Sequence, residues 1–132
     1  MGQPVARQTD QVTAMDVHIV LAPSPGGPVP TPLPHPFSGT LQSNLVPTVL
    51  VNGLPVATAG SVAVNSPPHL PTPPGTSFTV PPANQGVVQT GSATVFVGGR
   101  PVARMGDPVL TCTDVPGPLG TIVTGSPTVI VG

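Results

Sequence analysis

The stretch TVFVGGRPVAR, from Thr94 to Arg104, decides the fold. Apolar residues alternate on both sides of Gly98-Gly99, and residues free to take positive φ between two alternating runs make a hairpin turn. The phrase recurs from Thr48 to Thr58 as TVLVNGLPVAT, with Asn52-Gly53 at the turn. The chain ends on its first half, TVIVG at 128–132, and begins on its second half, GQPVAR at 2–7. Repetition of this kind dictates architecture before any local propensity does. It predicts an all-β protein with three hairpins around a pseudo-threefold axis. The third hairpin is assembled from the two ends of the chain, so the termini meet at one pole. The repeat units span about residues 2–52, 53–98 and 99–132 of a single domain.

Composition fits this outline. The 132 residues include 22 Pro and 16 Gly, a level that ordinarily signals disorder. Only 5% of residues are charged and the mean hydropathy is +0.32, whereas disordered chains are polar and charged. The chain has no Trp, Tyr, Lys or Glu, and its three Phe are too few for a large aromatic core. Such a chain needs a metal or a partner to hold its shape. A net charge of −1 argues against a nucleic-acid partner. No apolar run approaches the ~20 residues that span a bilayer. The start of the chain lacks the features of a signal peptide, which predicts synthesis in the cytoplasm.

Between the hairpins, residues 22–47 read as a long loop stiffened by proline and carrying His35 between Pro34 and Pro36. Residues 58–93 read as a second Pro-rich loop with His69, and 104–127 as a third and shortest one with Cys112. Arg7 and Asp10, echoed by Arg104 and Asp107, read as exposed pairs worth well under ~1 kcal/mol.

The chain has three His and one Cys. His18 stands 14 residues after Pro4, His69 stands 14 after Pro55, and Cys112 stands 11 after Pro101. Each repeat thus offers one metal-capable side chain at a corresponding place, and strands running away from the hairpin pole would bring them together. His35 is a fourth such residue, which the repeat does not predict. Three imidazoles and a thiolate form a closed tetrahedral zinc set, a structural rather than a catalytic site. Binding requires a thiolate and neutral imidazoles, so it weakens in acid. The opposing reading is that scattered His and Cys, with no CxxC, are unrelated. Iron is the other metal compatible with the set.

Over nearly its whole length the chain resembles the PAAR-repeat proteins. Pro4–Arg7, Pro55–Thr58 and Pro101–Arg104 are variants of the phrase that gives that family its name, although Thr58 replaces Arg in the middle repeat. The resemblance implies a small cone of short strands with zinc near the apex, held by His18, His35, His69 and Cys112. It implies a non-enzymatic tip, one chain per spike, that caps a trimeric VgrG-like or phage-type spike of a contractile injection machine. Such tips aid membrane puncture and carry effector cargo; no toxin domain is expected within this chain. Two other classes compete. A zinc hydrolase needs an open metal position and a general base, yet Glu is absent and Asp10, Asp16, Asp107 and Asp114 show no catalytic spacing. A secreted Pro-rich binding or adhesin module would make no use of a metal.

Overall fold

A computed structural model describes residues 2–132. All three predicted hairpins are present. β4 (Val46–Val51) pairs with β5 (Leu54–Val56), and β9 (Phe96–Val97) with β10 (Arg100–Pro101). The third joins the chain ends, β1 (Gln3–Pro4) against β13 (Ile130–Val131). Asn52 and Gly53 take φ of 53° and 79°, and Gly98 and Gly99 take 60° and 79°. Positive φ at both central residues is the turn geometry whose twist matches that of the flanking strands.

The three Pro-Val-Ala phrases meet on the axis. The Ala6 N–H donates to the Ala103 carbonyl at 2.9 Å, Ala57 to Ala6 at 3.0 Å, and Ala103 to Ala57 at 2.9 Å. The ring is closed, and all three alanines are fully buried. A second ring surrounds it: Gln8, Ala59 and Met105 donate to the carbonyls of Pro55, Pro101 and Pro4 at 2.8–2.9 Å. Proline suits this place because only its carbonyl is called upon there.

After each phrase the chain turns into a barrel strand. Asp10, Ser61 and Asp107 make these turns, accepting the backbone N–H of Arg7, Thr58 and Arg104 at 2.7–2.9 Å. The expectation of exposed charge pairs is corrected here. Both Asp10 and Asp107 are buried, and each also binds its arginine's guanidinium. The carboxylate closes a backbone turn, and the ion pair is a consequence of that placement. This tight pairing raises the pKa of Arg104, chiefly through its hydrogen bonds to Asp107.

The barrel has six antiparallel strands, two from each repeat. They are β2 (Gln11–Ala22) and β3 (Val29–Ser43), β6 (Val62–Asn65) and β8 (Gln85–Val88), and β11 (Pro108–Leu110) and β12 (Gly120–Ile122). The order is β2-β3-β6-β8-β11-β12, and β12 pairs back on β2, so the sheet has no free edge at this level. Val12, Phe37, Leu41, Ala63, Val88, Val109 and Ile122 fill the interior beneath the alanine ring.

β3 corrects the expectation of a loop over 22–47, and the strands β6, β8, β11 and β12 shorten the other two loops. β2 and β3 pair without a break from Gln11↔Thr40 to Ala22↔Val29. The prolines permit this by their spacing. Pro30, Pro32, Pro34 and Pro36 occupy every second position and are exposed. Odd-numbered β2 residues turn their backbone away from β3: the carbonyls of Val17, Ile19 and Leu21 accept from Asp114, Thr79 and Thr76. Even-numbered β2 residues therefore bond β3, where they face Thr31, Leu33 and His35. The prolines fall in the alternate set, whose nitrogens point to the outer edge and need no donor. A short strand β7 (Ser77–Phe78) lies on β2 at Val20 and Leu21.

Candidate metal centre

β2 leaves the hairpin end at Gln11 and carries Asp16 and His18 about 20 Å along the barrel. Residues two apart on a strand share a face, and both side chains are fully buried. His35 sits opposite Asp16 on β3. His69 lies in the segment after β6, pinned by its own N–H to Asn84 Oδ1 at 2.8 Å. Cys112 follows β11. The ribbon of β2 and β3 continues past His18 through four more pairs.

All four sequence-predicted residues come to this end of the barrel. The three imidazole rings form a triangle with centroid separations of 4.9, 5.2 and 5.7 Å. Phe78 packs against His18 and His35, and Phe37 against His69, so apolar rings wall the cluster.

The donor atoms divide differently from the rings. One ligand atom each of Asp16, His18, His69 and Cys112 lies within 4.8 Å of the other three. Asp16 Oδ2 is 2.9 Å from His69 Nε2, 3.3 Å from Cys112 Sγ and 3.8 Å from His18 Nε2. His18 Nε2 is 3.7 Å from Cys112 Sγ. Zinc bond lengths place ligands of a tetrahedral site about 3.3–3.6 Å apart, so these separations suit a small divalent cation. His35 lies outside this group of four. Its Nε2 accepts the Thr72 N–H at 3.1 Å, and its Nδ1–H donates to the Leu33 carbonyl at 2.8 Å. Sequence reasoning passed over Asp16; the signal was its place two residues before His18 on one strand.

The electrostatics also ask for a cation. Burial lowers the pKa of His18, against the raising effect of Asp114 and Asp16, which favours the neutral imidazole a metal requires. Burial, then the charge and hydrogen bond of Asp16, push the Cys112 thiol up to about 11, opposed by the backbone N–H groups of Asn84 and Gln85. A bound cation reverses that balance. His18 Nδ1 is buried without a hydrogen-bond partner; Asp114 Oδ1 stands 3.3 Å away, off the donor line. A metal on Nε2 would polarise the ring and strengthen that contact. The residues present therefore fit a metal ion.

No curated protein and no solved structure matches the chain. Residues 79–132, which hold β8 to β13, the third Pro-Val-Ala phrase and Cys112, match the family model of the PAAR motif, and over that part of the chain the resemblance read from the sequence is borne out.

Proposed function

We propose that this chain is the tip of a trimeric spike. The PAAR motif is associated with spike tips of contractile injection systems, whose components are structural. The hairpin end carries the reading. Nine valines, three from each hairpin, line a concavity of about 160 Å³ on the axis: Val5, Val129 and Val131, then Val49, Val51 and Val56, then Val95, Val97 and Val102. At equivalent places Leu50, Phe96 and Ile130 are 57–61% exposed. One chain thereby presents three like apolar faces to three identical subunits, with short strands able to continue those of a partner. The partner is a VgrG-like or phage-type trimer, capped by one chain.

The other end supplies stiffness. His18, His69 and Cys112, with His35 packed beside them, hold one structural zinc ion that ties the segments after β2, β6 and β11 together. The protein acts mechanically, without turnover: it is made in the cytoplasm, mounted on the spike and driven through a target membrane, with effector cargo carried on its Pro-rich segments. Introducing Asp at both Phe96 and Ile130 abolishes co-purification with the spike on this account while leaving the far-ultraviolet circular dichroism unchanged. Undiminished association would sink the proposal.

A further inference from the structure

We infer that the three base hairpins are held unequally, and that β9–β10 is the one free to adjust when the base meets its partner. The unequal hold is a property of the chain alone; its use in docking rests on the spike-tip reading above.

One residue ahead of each hairpin decides the hold. The N–H groups of Ser92 and Ser126 donate to the carbonyls of Val102 and Val5 at 2.8 Å, and Val46 pairs with Val56 at the corresponding place. Ser92, Ser126 and Val46 are therefore equivalent in the three repeats. Each serine first stiffens its own strand: the Ser92 Oγ accepts from the N–H groups of Thr94 and Val95, and the Ser126 Oγ from those of Thr128 and Val129, at 2.9–3.2 Å. Each hydroxyl then donates across to a neighbouring hairpin. Ser126 reaches Asn52 Oδ1 at the turn of β4–β5, and Ser92 reaches the Gly132 carbonyl beside β13. The third contact of this pinwheel falls to Val46. A Cβ on Gly98 would stand 3.6 Å from a Val46 methyl, so Val46 touches the β9–β10 turn but has no hydroxyl to clasp it.

The difference is visible in the chain: Gly91-Ser92-Ala93-Thr94-Val95 and Gly125-Ser126-Pro127-Thr128-Val129 stand against Leu45-Val46-Pro47-Thr48-Val49. The turns differ in the same sense. Asn52 bonds Arg7, Ser126 and Thr128 through its side chain, whereas Gly98 and Gly99 offer no side chain to tie and have the widest backbone freedom. Val51 is buried on β4, while Val97, in its place on β9, is only partly so. Local opening costs least where hydrogen bonds and buried contacts are fewest. The β9–β10 hairpin combines both lacks, and it carries Phe96 exposed on the surface offered to the spike.

The test is amide hydrogen exchange, read by NMR on the full chain alone. Arg100 and Leu54 follow the two turns at equivalent positions. The protection factor of the Arg100 amide should lie about tenfold below that of Leu54, roughly the worth of one net hydrogen bond. Equal protection, or the reverse order, overturns the inference. Ser126→Ala removes the clasp on β4–β5 and should bring Leu54 down towards Arg100 while Arg100 stays unchanged; an unmoved Leu54 also overturns it. Adding a trimeric VgrG-like spike protein should then raise protection at Arg100 by a larger factor than at Leu54, and equal factors would contradict the docking role. A trimer that does not bind removes the spike reading and the docking role with it, while the comparison in the free chain still decides how the hairpins are held.

Discussion

Asp10, Ser61 and Asp107 hold one place in three repeats, and the two chemistries found there predict different stabilities. Each aspartate caps a backbone N–H and binds a guanidinium, while Ser61 does only the first. Asp107→Ala leaves a buried donor and a cation without partners, which should cost about 2–3 kcal/mol in urea denaturation. Asp107→Ser, which copies the middle repeat, should restore part of the loss. If Ala and Ser were equally destabilising, the turn-closing role would be wrong. At the same scale Asn52 ties the cut hairpin shut. Its Oδ1 accepts from Arg7 and Ser126, and its Nδ2 donates to Thr128, so one side chain holds both ends of the chain.

Among the elements, β3 shows what a single chain conceals. The hairpins were legible because Asn-Gly and Gly-Gly turns are local signals between alternating apolar runs. His18 and His69 were legible because the repeat puts them in register. The strand over Val29–Ser43 was not, because five prolines from Pro28 to Pro36 read as a loop until the partner strand fixes which edge they face. Asp16 was illegible for a related reason: its neighbours Thr111 and Cys112 come from the third repeat through barrel closure, which no short-range pattern reports. The proline row has a consequence of its own. From Val29 to Ser38, β3 has no strand on its outer edge among the described residues, and prolines deny that edge the donors another chain would pair with. Replacing Pro30, Pro32 and Pro34 with Thr restores three donors. Sedimentation velocity should then show concentration-dependent association absent from the parent; a variant that stays as dispersed as the parent contradicts this role for the prolines.

For the whole molecule, closure replaces mass. The barrel interior is built on small and β-branched residues, and the axis is a ring of alanines, so little aromatic surface is buried. Hydrogen-bonded closure at one end compensates, and the metal proposed for the other end would add to it. Removing the ion with a chelator should therefore lower the melting temperature. With zinc held about a thousandfold above its dissociation constant, the ligand contributes about 4 kcal/mol, or roughly 10 °C or more for a domain of this size. An unchanged melting temperature would mean that the metal does not stabilise the fold.

The pseudo-threefold base makes the most direct demand. Its three hairpins differ in sequence but each presents three valines to one axis, an arrangement that suits the trimeric partner proposed above. Native mass spectrometry of the chain mixed with a trimeric VgrG-like spike protein tests that proposal by counting the chains bound per trimer. The account predicts one chain per three spike subunits, even with the chain in excess. Three chains per trimer, or no complex at all, would contradict it.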